Sequence, residues 1–304
     1  MNSKKCSNSE QTAYLRRYTL TDGRQAGVRI VEIYNGVLRA LFNESKALDL
    51  IQLFHLGVNM GFLSKNGISA SSGAFSGRFE GGMVYTCGLD SLGAREGYEL
   101  HGTLHNTPAR ITSCLCDGET IRVTAEMENT ELFGKNLLLR RTVSTTAGSG
   151  SIAIHDELVN RGFRAEPYCL LYHVNLGYPM LDEGVTIEAD SSSVLPRTPW
   201  AKEKMAGRTV FPPPTDNEEE CCYFLKNRTP QVRAVNRALG RAFTLSYSGD
   251  TLPYMVQWNS AASGDYALGL EPATTFLDDL FTYRTLDPGQ KVAFSVTLRV
   301  DPIA

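Results

Sequence analysis

Two polar side chains interrupt an otherwise apolar and aromatic run at residues 170–179, LLYHVNLGYP. The Val, Leu and Tyr content favours a β-strand, and a strand directs His173 and Asn175 to the same face because its side chains alternate in direction. Burying a polar group without a hydrogen bond costs roughly 1–3 kcal/mol. The two side chains are therefore either hydrogen-bonded within the core, which is the more common case for a histidine in a strand, or directed into a polar cavity.

A carboxylate occurs in a second strand-like segment, DYALGLEPATTF, at residues 265–276. The alternation places Glu271 on the same face as Ala267 and Gly269, whose small size leaves open space in front of it. A glutamate buried in this way can have a raised pKa and act as a general base. The alternative is a glutamate that forms a salt bridge at the edge of a sheet.

Two histidines lie four residues apart in YELHGTLHNTPAR, residues 98–110. On a helix His101 and His105 could bind a metal, but the Gly, Thr, Asn and Pro residues argue against a helix, and the HExxH pattern is absent. We therefore expect no metal site. Gly102 would let a ligand or another stretch of backbone come close to the His101 ring, and a turn histidine without a function is an equal alternative.

An arginine precedes a glycine pair in SGRFEGGMVYTCG, residues 76–88. The segment has neither the GKS/T ending of a phosphate loop nor GxGxxG spacing. Arg78 could hydrogen-bond a neutral polar ligand through its fork of donors, although an ion-paired or exposed arginine is more common. Nucleophilic catalysis has little support, because the GxSxG motif is absent.

Alternation of apolar and polar residues with period two is the main structural signal. In VAFSVTLRV, residues 292–300, every second side chain is apolar, as in a half-buried strand. Further strands are predicted at 27–33, 121–127, 136–145, 151–158, 231–239, 241–247, 254–258 and 265–271. Gly- and Asp-containing turns separate them. Short strands at this spacing predict an all-β fold, a large antiparallel β-sandwich, rather than βαβ units.

Helix punctuation is convincing only at residues 198–207, TPWAKEKMAG. Thr198 could cap the helix, Pro199 suits its first position and Gly207 suits its end. The following FPPPTDNEEE, residues 211–220, is rich in proline and then acidic, which is typical of a surface loop.

Composition excludes several classes of protein. The 304 residues carry a net charge of −3 with 42% hydrophobic and 21% charged residues, which gives no electrostatic footprint for nucleic acid or an anionic membrane. We see no secretory signal and no transmembrane run. Seven cysteines without CxxC spacing suggest reduced thiols in a cytoplasm. We expect one domain over residues 1–304, with residues 1–26 either flexible or adding a strand.

Six motifs, taken in order, resemble the aldose 1-epimerase (galactose mutarotase-like) family and in particular its bacterial DUF4432 branch. They lie between about residues 46 and 300 and read RFEGGMVYTCGL, ELHG followed by NTPA, LLYHVNLGYPMLDEG, VNRALG, LPYMVQW and YALGLEP. The resemblance implies one large β-sandwich with a sugar cleft on the concave face of its main sheet. It also implies an isomerase that opens an aldose ring by acid and base catalysis, rotates the C1–C2 bond and recloses the ring as the other anomer. No cofactor is required.

The resemblance also implies roles for three catalytic residues. Glu271 in LEP matches the base and His173 in YHVN matches the acid. His101 in LHG matches a second histidine that holds the sugar and helps to polarise the ring oxygen, and either histidine could protonate that oxygen. A free glutamate titrates at about 4.3 and a free histidine at about 6.5, so near neutrality we expect an ionised carboxylate and an imidazole that can give a proton.

Four further residues are expected to bind the sugar, namely Arg78, Asn175, Gln257 and Trp258. Asn175 would be polar because its face lines the sugar cleft. Gln257 and Trp258, in VQW, would supply hydrogen bonds and the apolar platform that sugars favour. The expected partner is a small sugar, and we expect no nucleic acid or membrane partner. A homo-oligomer is possible.

Two other functions compete with this interpretation. A non-catalytic carbohydrate-binding or sensing protein could keep the same cleft, but binding alone needs no acid and base pair such as His173 and Glu271. A hydrolase, or an epimerase of different regiochemistry, is the third possibility. Glycoside hydrolysis usually uses two carboxylates, and Glu99 and Asp182 are close in sequence to the motifs without forming a motif of equal quality.

Overall fold

The computed structural model describes residues 5–71 and 73–303, and strands dominate this part of the chain. The strands are β1 (Tyr14–Thr19), β2 (Arg29–Tyr34), β3 (Leu38–Asn43), β4 (Asp49–His55), β5 (Val58–Asn59), β6 (Val84–Leu89), β7 (Arg110–Cys116), β8 (Thr120–Thr130), β9 (Asn136–Thr146), β10 (Ser151–Asn160), β11 (Glu166–Leu176), β12 (Thr186–Glu188), β13 (Ser191–Pro196), β14 (Cys221–Asn227), β15 (Gln231–Asn236), β16 (Arg241–Tyr247), β17 (Tyr254–Ala262), β18 (Asp265–Ala273), β19 (Arg284–Leu286) and β20 (Lys291–Pro302). The α-helices are α1 (Phe75–Arg78) and α2 (Pro199–Glu203).

The strands form three sheets, and all pairs of these strands are antiparallel. Five strands follow the order β1-β2-β3-β4-β5, and eight follow β12-β15-β16-β20-β10-β9-β8-β7. The third sheet has the order β13-β14-β17-β18-β11-β19, with β6 also paired to β11. Leu50, Leu139 and Leu170, one from each sheet, belong to a single hydrophobic core. The prediction of an all-β, antiparallel sandwich is confirmed.

All of the predicted strands are present, and the predicted helix is shorter than expected. Thr198 caps α2 by accepting a hydrogen bond from the Ala201 amide, and Pro199 occupies its first turn. The helix ends at Glu203 and continues as a 3₁₀ turn over Met205–Gly207, since helix ends often tighten in this way. Among the described residues, none of the helices has the length and apolar character needed to cross a membrane.

The N-terminal segment that we expected to be flexible or to add a strand contains β1, which pairs with β2 at the edge of the five-stranded sheet. Residues 1–4 of that segment lie outside the described residues.

A buried guanidinium connects the three sheets. Arg141 on β9 donates to both carboxylate oxygens of Asp156 on β10, at 2.9 and 2.7 Å, and to Asp49 on β4 at 2.8 Å. It also donates to the Thr86 hydroxyl on β6 at 2.9 Å, while the Tyr172 hydroxyl on β11 donates to Asp156 at 2.7 Å. Arg141 and Asp156 are fully buried. Because every partner is hydrogen-bonded, the network fixes the three sheets against one another.

Replacing Arg141 with Met is expected to destabilise the protein by about 3–5 kcal/mol, because it leaves buried carboxylates without their cation. Urea denaturation of wild type and variant measures this loss. Arg140→Met is the matched control, since Arg140 is the adjacent residue and pairs with Glu126 and Glu157 at the surface; its loss is expected to stay below about 1 kcal/mol. Equal losses for the two variants would contradict the role given to the network.

Candidate active site

A cavity of about 620 Å³ opens on the face of the seven-stranded sheet that points away from the main core. Its lining includes three aromatic side chains from the segment after β5, Phe62, Phe75 and Phe79. The titratable side chains in the lining are Lys65, His101, His173, Arg197, Glu220, Cys222, Asp265 and Glu271. A cavity of this size, with apolar walls and a few converging polar groups, is typical of a small-molecule site.

The register of two central strands brings His173 and Glu271 together. Leu171 on β11 pairs with Ala273 on β18, and Val174 pairs with Leu270, so His173 stands opposite Glu271. The imidazole Nε2 and the carboxyl Oε1 are 3.3 Å apart. Both side chains are buried, and the two atoms lie close together without forming a hydrogen bond.

Both residues keep a polar atom without a protein partner. Nδ1 of His173 and Oε1 of Glu271 are buried and accept or donate no hydrogen bond within the described residues. A buried polar atom without a partner is costly. The two atoms are therefore available to a polar ligand in the cavity.

Gly269 creates the space in front of this pair, as the sequence predicted. A Cβ at Gly269 would lie 2.5 Å from Oε1 of Glu271, 3.2 Å from the His173 ring and 3.1 Å from Cβ of Trp258. A side chain there would displace the Glu271 carboxyl group, so glycine at this position lets Glu271 and His173 face each other.

His101 enters the cavity from the loop between β6 and β7. Its backbone lies in the left-handed region, with φ of +63°, and the ring packs edge-on against His173 with centroids 5.7 Å apart. Gly102 also has positive φ, and a Cβ there would lie 2.5 Å from the Gly88 carbonyl oxygen. The close approach that Gly102 permits is thus made by the protein's own backbone, and the Gly93 amide donates to Nδ1 of the His101 ring at 3.4 Å.

Trp258 on β17 forms one wall and is held by an acidic side chain. Its Nε1 donates to Oε2 of Glu220 at 2.7 Å. Its ring meets His173 edge to face, with centroids 5.4 Å apart and planes at 75°. The indole therefore lies beside the His173–Glu271 pair, as an apolar platform with a fixed orientation.

Each of two cations in the lining is paired with a carboxylate. Arg197 donates to both oxygens of Asp278, at 2.6 and 2.9 Å, and Lys65 lies 2.6 Å from Asp265. Neither carries an uncompensated charge into the cavity, so the site has no strong preference for an anionic ligand.

Burial favours the neutral forms of the catalytic candidates. It raises the pKa of Glu271 well above the ordinary value; Glu220 adds to the rise and Arg197 opposes it. Burial, assisted by His101, lowers the pKa of His173 to about 3, and burial lowers the pKa of His101 to about 4. The expectation of an ionised Glu271 beside a histidine with an ordinary pKa is therefore wrong for the free protein, because burial penalises both charged forms.

Three of the expected sugar-binding residues do not line the cavity. Gln257 neighbours Trp258 on β17 and points to the opposite side, where it bonds the Arg208 carbonyl at 2.9 Å. Asn175 shares the face of His173, but its amide donates to the carbonyl oxygens of Gly82 and His173, each at 3.0 Å. Neither side chain is among those that line the cavity, and Oδ1 of Asn175 is buried without a hydrogen-bond partner among the described residues.

Arg78 also lies elsewhere. As the last residue of α1 it is buried, donates to the Gly73 carbonyl at 2.7 Å and pairs with Glu99 and Asn106. It lines a separate cavity of about 400 Å³. Its structural role is the ion pair, which the sequence left as the alternative to ligand binding.

Sequence reasoning missed four charged lining residues, Lys65, Arg197, Glu220 and Asp265. Arg197 directly precedes the helix cap at Thr198, and its backbone amide donates to the Cys222 carbonyl at 2.9 Å. Glu220 is the last residue of the acidic segment 211–220, which we interpreted as a surface loop. Only the position of Glu220 directly before β14 could have indicated that it is held close to the sheet.

Within residues 5–71 and 73–303, no group of three or more His, Cys, Asp or Glu side chains is placed to hold a metal ion. His105, the second histidine of the predicted pair, is buried against Tyr85 with ring centroids 4.5 Å apart.

Solved structures share this architecture over nearly the whole chain. A candidate aldose 1-epimerase from Klebsiella pneumoniae subsp. pneumoniae MGH 78578 aligns with a TM-score of 0.85 and 22% identity, covering 99% of this chain and 86% of that one. A galactose mutarotase-like protein from Clostridium acetobutylicum aligns with a TM-score of 0.72 and 12% identity, covering 96% of this chain and 100% of that one. A candidate aldose 1-epimerase from Escherichia coli K12 aligns with a TM-score of 0.66 and 14% identity, covering 95% of this chain and 100% of that one. The fold is that of the galactose mutarotase-like β-sandwiches.

The sequence itself identifies the family. Residues 25–300 match the family model described as "Domain of unknown function (DUF4432)", and the chain belongs to the DUF4432 family. Among curated proteins, none matches the sequence.

Replacing Glu271 with Gln is expected to change how stability depends on pH. The folded protein holds the Glu271 proton above pH 4.5, where the unfolded chain releases it. The wild type therefore loses stability as the pH rises from 4.5 towards the raised pKa, by up to about 1.4 kcal/mol per pH unit. Gln has no proton to release. Between pH 5 and pH 8, the free energy of unfolding of the variant should therefore rise relative to that of the wild type. Urea denaturation at intervals of pH tests this, and a difference that is the same at every pH would contradict it.

Proposed function

We propose that this protein is a sugar 1-epimerase, an aldose 1-epimerase-like isomerase that interconverts the anomers of an aldose or modified aldose. The observation that carries the proposal is the 3.3 Å approach of His173 and Glu271 in a cavity with aromatic walls. A base and an acid that share one cavity are what ring opening and reclosure need. The names of the solved relatives agree with this activity.

The proposed reaction begins when Glu271 takes the proton of the anomeric hydroxyl. The bond between C1 and the ring oxygen breaks as His173 gives its proton to that oxygen, which leaves the open-chain aldehyde. After rotation about C1–C2, His173 takes the proton back from the attacking hydroxyl and Glu271 returns its proton to the former carbonyl oxygen. Atoms, charge and the protonation of both side chains are restored at the end.

The His173–Glu271 pair needs only one proton for this chemistry. In the free protein burial places that proton on Glu271. When the anomeric hydroxyl donates a hydrogen bond to the carboxyl group, the carboxylate becomes favoured, and the proton passes to His173 across 3.3 Å. Binding of the sugar therefore converts the neutral pair into a base and an acid.

We assign the proton donation to His173 rather than to His101. His173 faces Glu271 across the sheet, with its Nε2 at 3.3 Å from the carboxyl Oε1, whereas His101 approaches His173 from a loop. A neutral His101 can hydrogen-bond the ring oxygen or a hydroxyl group and hold the sugar in place. Trp258 supplies the apolar platform.

The natural setting that fits best is a reducing compartment such as the cytoplasm. The seven cysteines form no disulfide, and four of them, Cys87, Cys169, Cys221 and Cys222, are buried as thiols.

Both catalytic candidates can be tested by NMR magnetisation exchange between anomers, across a panel of neutral and acidic aldoses. The wild type is expected to accelerate the exchange, and Glu271→Gln and His173→Asn are each expected to lose about 10²–10⁴ of the rate. His155→Asn is the matched control because His155 is an exposed residue of β10.

Two results would contradict the proposal. If sugars bind without faster exchange, the protein is a carbohydrate-binding or sensing protein that uses the same cavity. If the two variants keep the wild-type rate while the wild type is active, the chemistry takes place elsewhere.

A further inference from the structure

We propose that Glu220 is a positioning residue, which fixes the Trp258 indole against His173 and places a carboxylate charge beside Glu271. The inference deepens the proposed epimerase function and rests on it. Glu220 needs no contact with the reacting atoms of the sugar in either role.

The first observation is the bond between Glu220 and Trp258. A carboxylate that accepts from an indole N–H at 2.7 Å forms a charge-assisted hydrogen bond, stronger than one between neutral groups. The strand register explains why they meet, since Cys222 on β14 pairs with Trp258 on β17. Glu220 lies two residues before Cys222, at the point where the chain enters the sheet.

The second observation is the contact that this bond maintains. The indole ring meets the His173 ring with centroids 5.4 Å apart and planes at 75°. Without the bond to Glu220, the indole is free to leave this position. That movement would change the surface on which a sugar lies.

The third observation concerns the charges around Glu271. The titratable and charged groups that face it from neighbouring elements are Cys87 on β6, His173 on β11, Cys222 on β14, His101, Arg197 and Glu220. After burial, Glu220 is the group that contributes most to raising the pKa of Glu271, and Arg197, already bonded to Asp278, opposes it. Glu220 thus helps the His173–Glu271 pair to keep its proton.

Three variants separate the two roles. Glu220→Gln keeps an oxygen that can accept from Trp258 and removes the charge. Trp258→Phe removes the donor and keeps both the charge and an aromatic ring. Glu220→Ala removes the acceptor and the charge together. Glu219→Gln, at the adjacent exposed glutamate, is the matched control.

The kinetic test is the pH dependence of kcat/KM for the aldose that the wild type interconverts fastest. The rate is expected to fall at alkaline pH as the pair loses its proton. In Glu220→Gln this fall should begin at a lower pH, because a negative charge next to Glu271 is gone, and the shift should shrink with added salt since Glu220 is solvent-exposed. Trp258→Phe should keep the wild-type alkaline limb and raise KM by about tenfold.

The structural test uses the fluorescence of Trp258, which is the only indole left in a Trp200→Phe background because the chain has two tryptophans. Glu220→Gln should keep the emission maximum and Glu220→Ala should shift it. An unchanged alkaline limb in Glu220→Gln, or an unchanged emission in Glu220→Ala, would overturn the corresponding role. If the wild type interconverts no aldose, the proposed function fails, and the fluorescence comparison still decides whether Glu220 positions Trp258.

Discussion

The architecture depends on a single buried guanidinium. Arg141 bonds carboxylates on β4 and β10 and a hydroxyl on β6, and through Asp156 it reaches the Tyr172 hydroxyl on β11. Tyr172 is the residue directly before His173, and alternation along β11 sends the two side chains to opposite faces. The network on the core face of β11 thereby fixes the backbone from which the histidine projects into the cavity on the other face.

Burial serves the chemistry in a second way. The strands that hold His173 and Glu271 at 3.3 Å also remove both from water, and the free protein avoids two charges by keeping one proton on the carboxyl group. As a result, the free energy of unfolding of the protein falls as the pH rises above the ordinary pKa of a glutamate. In the proposed mechanism, that cost keeps the proposed base and acid close together, and a polar ligand converts them into their reactive forms.

Period-two alternation predicted the central elements because it depends only on neighbouring residues. It gave the strands, the shared face of His173 and Asn175, and the space that Gly269 leaves before Glu271. The same rule sends Gln257 to the face opposite that of its neighbour Trp258. The sequence alone could therefore have shown that Gln257 and Trp258 do not line the same cavity.

Other features of the site depend on contacts between distant segments. Arg197 and Glu220 reach the cavity because α2 precedes β14 in the chain and β14 pairs with β17. The Asn175 amide is held away from the cavity by its hydrogen bond to the carbonyl of Gly82, in the segment before β6. Their positions need the assembled sheet. The pKa shifts of His173 and Glu271 also follow from burial, which sequence spacing does not supply.

The most direct test of the account is a ¹⁵N NMR titration of the imidazole of His173 in the free protein, with the signal assigned by its loss in His173→Asn. The account predicts a neutral ring from pH 8 down to about pH 4, because its pKa is lowered to about 3. An imidazolium signal that develops at pH 6 to 7, as in an exposed histidine, would contradict the neutral, one-proton pair on which the proposed mechanism depends.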